Sequence, residues 1–400
     1  MNILKKTYCR TFQAVFKLAM PLLPYRTPKQ LDTVAKVSNI LSEKKINNVL
    51  IVTDKTIKNL GLLIPLETSL DSKKIQYTIY SDTVPNPTIK NVEEAKDLYI
   101  KNNCQALIGF GGGSSIDCAK AVGARIAKPK QSIPKMKGIL KINKKIPLLI
   151  AVPTTAGTGS ETTVTTVITD ETTRHKFPIN DFPLIPSYAV LDAEVTKNLP
   201  PHITATTGID ALTHAVEAYI GNSTTKETRA NAIKAVQLIF TNIEKAYNNG
   251  NDIIARKNML YASFLAGSAF SKSYVGYCHA VAHSLGGKYN TAHGLANAVL
   301  LPHVLDAYGK SAYKKLKKLA IETKLAKKDT PCEKAAKRFI EKIRTLNKSL
   351  DIPETLPEIQ EKDIEELAIH AEKEANPLYP VPKLMTAKEL ERFYYLIMNN

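Results

Sequence analysis

Asp210 and His214 stand four residues apart, and His279 and His283 repeat that spacing further along the chain. In a helix, positions i and i+4 share a face, so each pair presents its side chains together. Two helices carrying such pairs can converge on one divalent cation. His293 follows His283 across Gly286-Gly287, where the chain can turn and bring in another imidazole. The candidate ligands are one carboxylate and four imidazoles, with no cysteine. That set suits Fe, Zn, Mn or Co better than a zinc–thiolate structural site, and the spacing alone chooses neither the metal nor which of the groups bind it. The competing reading, hydrogen-bonded core histidines, fits any one of them taken singly. It fits the repeated spacing less well.

The elements that would position these groups fall into two textures. In the first half, Asn47 to Asp54, Ile75 to Ser81, Cys104 to Phe110 and Ile146 to Val152 read as strands, separated by helical stretches. The third runs into Gly111-Gly112-Gly113-Ser114 and a helix to about Ile126, and the fourth into Pro153 to Ser160. Strands, glycine turns and helices in that order predict a largely parallel α/β sheet whose ligand gathers at the strands' carboxyl ends. Glycines between a strand and a helix let backbone N–H groups approach a pyrophosphate, and Thr154 to Ser160 adds hydroxyl donors. Neither turn is a G-x-G-x-x-G or Walker A loop, but together they favour a dinucleotide. Asp54 ends an earlier strand, where a carboxylate can accept from an adenosine ribose and repel a 2′-phosphate, which favours NAD over NADP. Beyond Pro186 to Pro201 the runs Ala211 to Tyr219, Thr228 to Tyr247, Ile253 to Phe270 and Leu316 to Leu325 have helical periodicity. The expectation is a dinucleotide-binding domain over 1–198 and an all-helical domain over 199–400.

A chain of 400 residues with 44% hydrophobic content is globular and too long for one ordinary core. Five cysteines, at 9, 104, 118, 278 and 332, form no C-x-x-C pair, which indicates a reducing, cytoplasmic setting. Cys278, next to His279, reads as a buried structural thiol. The net charge of +18 comes from dispersed lysines without basic–aromatic interleaving, so no specific nucleic-acid partner is expected. Ala14 to Leu23 is apolar after Lys5, Lys6 and Arg10, but Lys17 and Pro21 break it and it is too short to span a membrane. It reads as a helix packed on a domain surface, with a targeting or membrane-touching role as the alternative.

The chain resembles the iron-containing, or group III, metal-dependent alcohol dehydrogenases. The resemblance runs through Ile51 to Lys55, Pro85 to Thr88, Gly111 to Lys120, Pro153 to Glu161, Gly208 to Ala215, His279 to His283 and His293 to Asn297. It implies a Rossmann-like N-terminal domain, a helical C-terminal domain and an active site in the cleft between them. It also implies that Asp210, His214, His279 and His293 hold the metal, with Fe2+ ahead of Zn2+, and that His283 lies near substrate and nicotinamide. Gly112, Gly113 and Ser114 are assigned to the pyrophosphate, Thr154, Thr155 and Thr158 to cofactor contacts, and Asp54, Asn86 and Lys176 to the cofactor's periphery. The implied reaction is reversible hydride transfer between a small alcohol and its aldehyde or ketone, by a homodimer or higher homo-oligomer. Tyr274 and Tyr277, just before His279, either narrow the substrate pocket or face a helix interface. The rivals are a glycerol dehydrogenase-like polyol enzyme, a cyclase similar to dehydroquinate synthase and a catalytically silent cofactor-binding protein. The cyclase needs a lysine–arginine cluster that no ligand motif here contains, and the silent protein would have lost a ligand.

Overall fold

The computed structural model describes residues 1–173 and 175–399. The chain forms two compact units, one of residues 24–199 and one that joins residues 1–23 to the chain from Pro200 onward. This corrects the expected 1–198 and 199–400 division for the first 23 residues. Their helix α1 (Ile3–Ala19) buries Cys9 and Gln13. The Gln13 amide donates to the carbonyls of Pro377 and Tyr379, and Arg10 donates to those of Val381 and Pro382. Carbonyls in that irregular segment lack a helical partner, and α1 supplies the donors.

Residues 24–199 contain β1 (Lys29–Leu31), β2 (Asn48–Val52), β3 (Gln76–Tyr80), β4 (Ala106–Gly111), β5 (Gly138–Ile139), β6 (Leu148–Pro153), β7 (Thr165–Asp170), β8 (His175–Asn180) and β9 (Tyr188–Val190). Six of them build an all-parallel sheet in the order β1-β9-β6-β4-β2-β3. Its central register sets Leu50 beside Leu107 and Leu107 beside Leu149. Leu50, Val52, Leu107 and Leu149 enter one apolar core, while Val49, Ile51, Ile108 and Ile150 enter another. Burial on both faces explains why these strands read as unbroken apolar runs. The helices of this unit are α2 (Val37–Glu43), α3 (Lys55–Asn59), α4 (Ile64–Ser72), α5 (Ile89–Lys101), α6 (Gly113–Ala127) and α7 (Ile133–Met136). A smaller sheet, β5-β8-β7, pairs β7 antiparallel with β8.

The other unit carries α8 (Pro201–Ile220), α9 (Lys226–Asn248), α10 (Ile253–Ser273), α11 (Tyr277–Tyr289), α12 (His293–Tyr308), α13 (Lys310–Glu322), α14 (Cys332–Ser349), α15 (Ile364–Ala375) and α16 (Ala387–Ile397). Thr225 starts α9 with a capping box and Asp252 caps α10, each satisfying N–H groups that the first turn leaves open. Among the described residues, no helix is long and apolar enough to cross a membrane.

Candidate active site

Asp210 and His214 lie one turn apart on buried α8, His279 opens the buried side of α11, and His293 is the first residue of α12. One ligand atom from each of the four lies within 4.8 Å of all the others. Asp210 Oδ1 is 3.8 Å from His279 Nε2 and 3.5 Å from His293 Nε2, while Asp210 Oδ2 is 4.0 Å from His214 Nδ1. Gly294 makes the convergence possible, because a Cβ there would sit 2.5 Å from the carbonyl oxygen of Thr206 on α8. Only glycine lets the start of α12 lie against α8 beside Asp210.

Burial gives the cluster its electrostatic character. It raises the Asp210 carboxyl above the usual range, and it drives His279 well below its ordinary value, helped by the neighbouring imidazoles. His279 Nε2 is buried and has no hydrogen-bond partner among the described residues, a costly state for a nitrogen lone pair unless a cation takes it. The residues therefore fit a divalent metal, with three imidazoles and a carboxylate as donors.

Sequence reasoning did not anticipate the groups that orient these ligands. Glu217 on α8 is buried, and its Oε2 accepts the Gly276 N–H at 2.8 Å and faces His279 Nδ1 at 2.6 Å, while Oε1 accepts the Cys278 N–H at 2.9 Å. Ionised, Glu217 offers only acceptors, so against the carboxylate Nδ1 of His279 carries the proton and Nε2 presents its lone pair to the cluster. Burial pushes Glu217 up to about 7, and the N–H donors of Gly276, Cys278 and His279 pull against it. Asn297 Nδ2 donates to Asp210 Oδ1 at 2.7 Å and lies 3.1 Å from His293 Nε2. The sequence signal for Glu217 was its place one turn beyond His214, but its partners are some sixty residues away.

His283 is not one of the four. Its Nδ1 is 2.6 Å from Glu374 Oε1 on α15, which also accepts from the Tyr379 hydroxyl at 2.6 Å. Its ring stacks on His293 with centroids 5.1 Å apart, and both side chains are partly exposed. Tyr277 is wholly buried, with its hydroxyl bonded to Asn376 and to the Met385 backbone, so it faces a helix interface. Tyr274 packs its ring on Phe16 and Tyr379. Cys278 is a buried thiol that contacts the Asn297 carbonyl.

In the α/β unit, β6, β4 and β2 are neighbours, so the turns at their carboxyl ends lie side by side. Thr154 N–H donates to the Gly111 carbonyl. A Cβ on Gly112 would stand 3.7 Å from Thr155, and one on Gly113 would crowd Thr158 at 2.9 Å, so the two glycine turns abut. Asp54 caps α3 through Oδ1, and its Oδ2 accepts from Ser115 on the helix that follows the glycines. Asn86 N–H donates to Ser114 Oγ. Lys176 on β8 pairs in register with Thr169, whose N–H donates to the Pro87 carbonyl, and burial lowers its pKa. A parallel sheet with this set of turns is a Rossmann-like arrangement consistent with NAD.

The comparisons with known proteins agree with these two centres. A family model described as iron-containing alcohol dehydrogenase matches residues 27–193, and one for the C-terminal part of the Fe-containing alcohol dehydrogenase family matches residues 204–398. Alcohol dehydrogenase 4 of Schizosaccharomyces pombe is 37% identical over 381 residues, covering 92% of this chain and 88% of the relative. The NAD-dependent methanol dehydrogenase of Bacillus methanolicus is 36% identical over 343 residues, covering 84% and 89%. The crystal structure of a 1,3-propanediol oxidoreductase superposes with a TM-score of 0.89 at 33% identity, covering 93% of this chain and 98% of that one. Matches of this length and identity on both units establish that the chain belongs to the iron-containing alcohol dehydrogenase family.

Proposed function

We propose that Asp210, His214, His279 and His293 hold one divalent cation, Fe2+ ahead of Zn2+, and that the protein interconverts a small primary or secondary alcohol with its aldehyde or ketone. The observation that carries this is the four-atom cluster within 4.8 Å. Bound there, the cation supplies Lewis acidity and NAD supplies the hydride acceptor. The chain's own residues do the rest. Glu217 and Asn297 orient the ligands, and Glu374 holds the Nδ1 side of His283 so that a hydroxyl proton is exchanged at its Nε2. Gly112, Gly113 and Ser114 take the pyrophosphate, Thr154, Thr155 and Thr158 contact the cofactor, and Asp54, Asn86 and Lys176 border it. The Asp54 carboxylate supports NAD over NADP. Relatives named for methanol, 1,3-propanediol and lactaldehyde support a short, polar substrate. The homo-oligomeric state and a cytoplasmic location belong to the same reading, the latter supported by five free cysteines, four of them buried.

The test is alcohol-dependent NADH formation by metal-stripped protein reloaded with Fe2+ or Zn2+, across primary alcohols, diols and glycerol. Turnover is expected only with metal. No turnover with any alcohol and either metal would overturn the reading, and a strong preference for glycerol would move the protein to the polyol enzymes.

A further inference from the structure

Glu374 occupies a place that helix stability does not explain. It stands in the last turn of α15, where the carbonyl dipoles disfavour a carboxylate. Its side chain is 36% exposed and that of His283 41%, and a long acid so open to water keeps one rotamer only at an entropic cost. Yet its Oε1 lies 2.6 Å from His283 Nδ1 and 2.6 Å from the Tyr379 hydroxyl, which donates to it. Two groups converging on a single oxygen fix where that oxygen sits.

Tyr379 is itself anchored. It is buried, its N–H donates to the Ala375 carbonyl at 2.7 Å, and its own carbonyl accepts from the Gln13 amide of α1 at 2.8 Å. Its ring packs on Tyr274, whose ring meets Phe16 of α1 edge-on at 5.0 Å. Tyr274 holds φ 60° and ψ 178°, a backbone region that side chains rarely adopt, so the rings on either side must keep it there. Strain of this kind collects where a site is being shaped. A buried ring with a satisfied hydroxyl is the plain account of Tyr379, but the acceptor it satisfies is a partly exposed carboxylate rather than a core group. We propose that Tyr379 is a positioning residue for the reaction, its hydroxyl holding Glu374 where that carboxylate aims the His283 ring. This role rests on the reading of His283 as the group that exchanges the substrate proton.

Turnover, binding and ring geometry can be read separately. Tyr379→Phe keeps the ring and removes the hydroxyl, so in the metal-loaded enzyme kcat should fall about tenfold with the alcohol KM within about twofold of wild type. Glu374→Gln should lower kcat likewise. Adding Tyr379→Phe to it should cost less than about a further twofold, because the hydroxyl acts through that carboxylate. In metal-free protein carrying isotope-labelled histidine, the His283 nitrogen resonances, identified by their loss in His283→Ala, should shift in Tyr379→Phe while those of His279 stay. Full turnover in Tyr379→Phe, equal losses with and without Glu374→Gln, or an unmoved His283 signal would overturn the proposal. If Tyr379→Phe melts early, the partly exposed Glu374→Gln position carries the test, and a wild-type kcat there is the refuting result. A wild type without turnover would remove the reading of His283 and this role together, whereas an active wild type with an equally active Tyr379→Phe removes this role alone.

Discussion

Replacing Glu217 by glutamine separates orienting a metal ligand from merely holding a helix. The buried carboxylate serves three donors, the N–H groups of Gly276 and Cys278 and the Nδ1–H of His279. If the amide oxygen takes the place of Oε2, its NH2 confronts the Cys278 N–H. Flipped, it keeps Cys278 and turns the NH2 on Gly276 and His279. Either orientation strands a buried N–H at about 1–3 kcal/mol. At roughly 2–4 °C per kcal/mol, the melting temperature of the helical unit should fall by about 2–12 °C. The flipped orientation also stops selecting the His279 tautomer, so metal affinity should fall about 10–100-fold. Zn2+ titration of the metal-free protein against a competing chelator, beside calorimetry of the same sample, reads both quantities without catalysis. An affinity within about twofold of wild type alongside a lowered melting temperature would refute the orienting role.

Further outcomes follow from the same structure. His279→Ala and His293→Ala should each lose bound metal and activity, whereas His283→Ala should keep its metal by elemental analysis and lose turnover; metal loss in the His283 variant would show that this imidazole is a ligand. Asp54→Gly should raise kcat/KM for NADP relative to NAD, and equal use of the two cofactors by the wild type would defeat the assignment. Burial raises Glu161 to about 7, above its unfolded value, so its contribution to stability is complete below the ordinary carboxyl range and is lost as pH rises through about 7. Glu161→Gln should therefore melt with the wild type near pH 5 and gain up to about 3 kcal/mol on it near pH 8, and a difference independent of pH would refute the assignment.

The strands β2, β4 and β6 were legible because burial on both faces writes them as apolar runs ending in turn residues, and the half-buried edge strand β3 was legible as a short segment leading into Pro85-Asn86-Pro87. β7 and β8 were not, since segments such as Thr165-Thr166-Val167-Ile168-Thr169 mix hydroxyls with aliphatics and pair with each other, with two residues of β5 and, at Thr169, with Thr88. The first coordination groups were legible because i,i+4 spacing is local. Glu217, Asn297 and Glu374 were not, because their partners lie 62, 87 and 91 residues away and only tertiary packing joins them. The placement of α1 failed for the same reason, as its polar anchors lie at the far end of the chain.

That placement governs the order in which the molecule can be assembled. Every strand of the large sheet lies between residues 29 and 190, so the α/β unit can close while the rest is still being synthesised. α1 is made first, yet the carbonyls that Arg10 and Gln13 hold are more than 360 residues away. At about 5–20 residues per second, the helix waits roughly 20–70 s for its seat, with its core side open. During that interval the apolar residues of α1 are open to capture by a chaperone. A chain cut before Glu372 would keep the contacts of α1 with Ser223 and Tyr274 and lose the carbonyls that Arg10 and Gln13 hold.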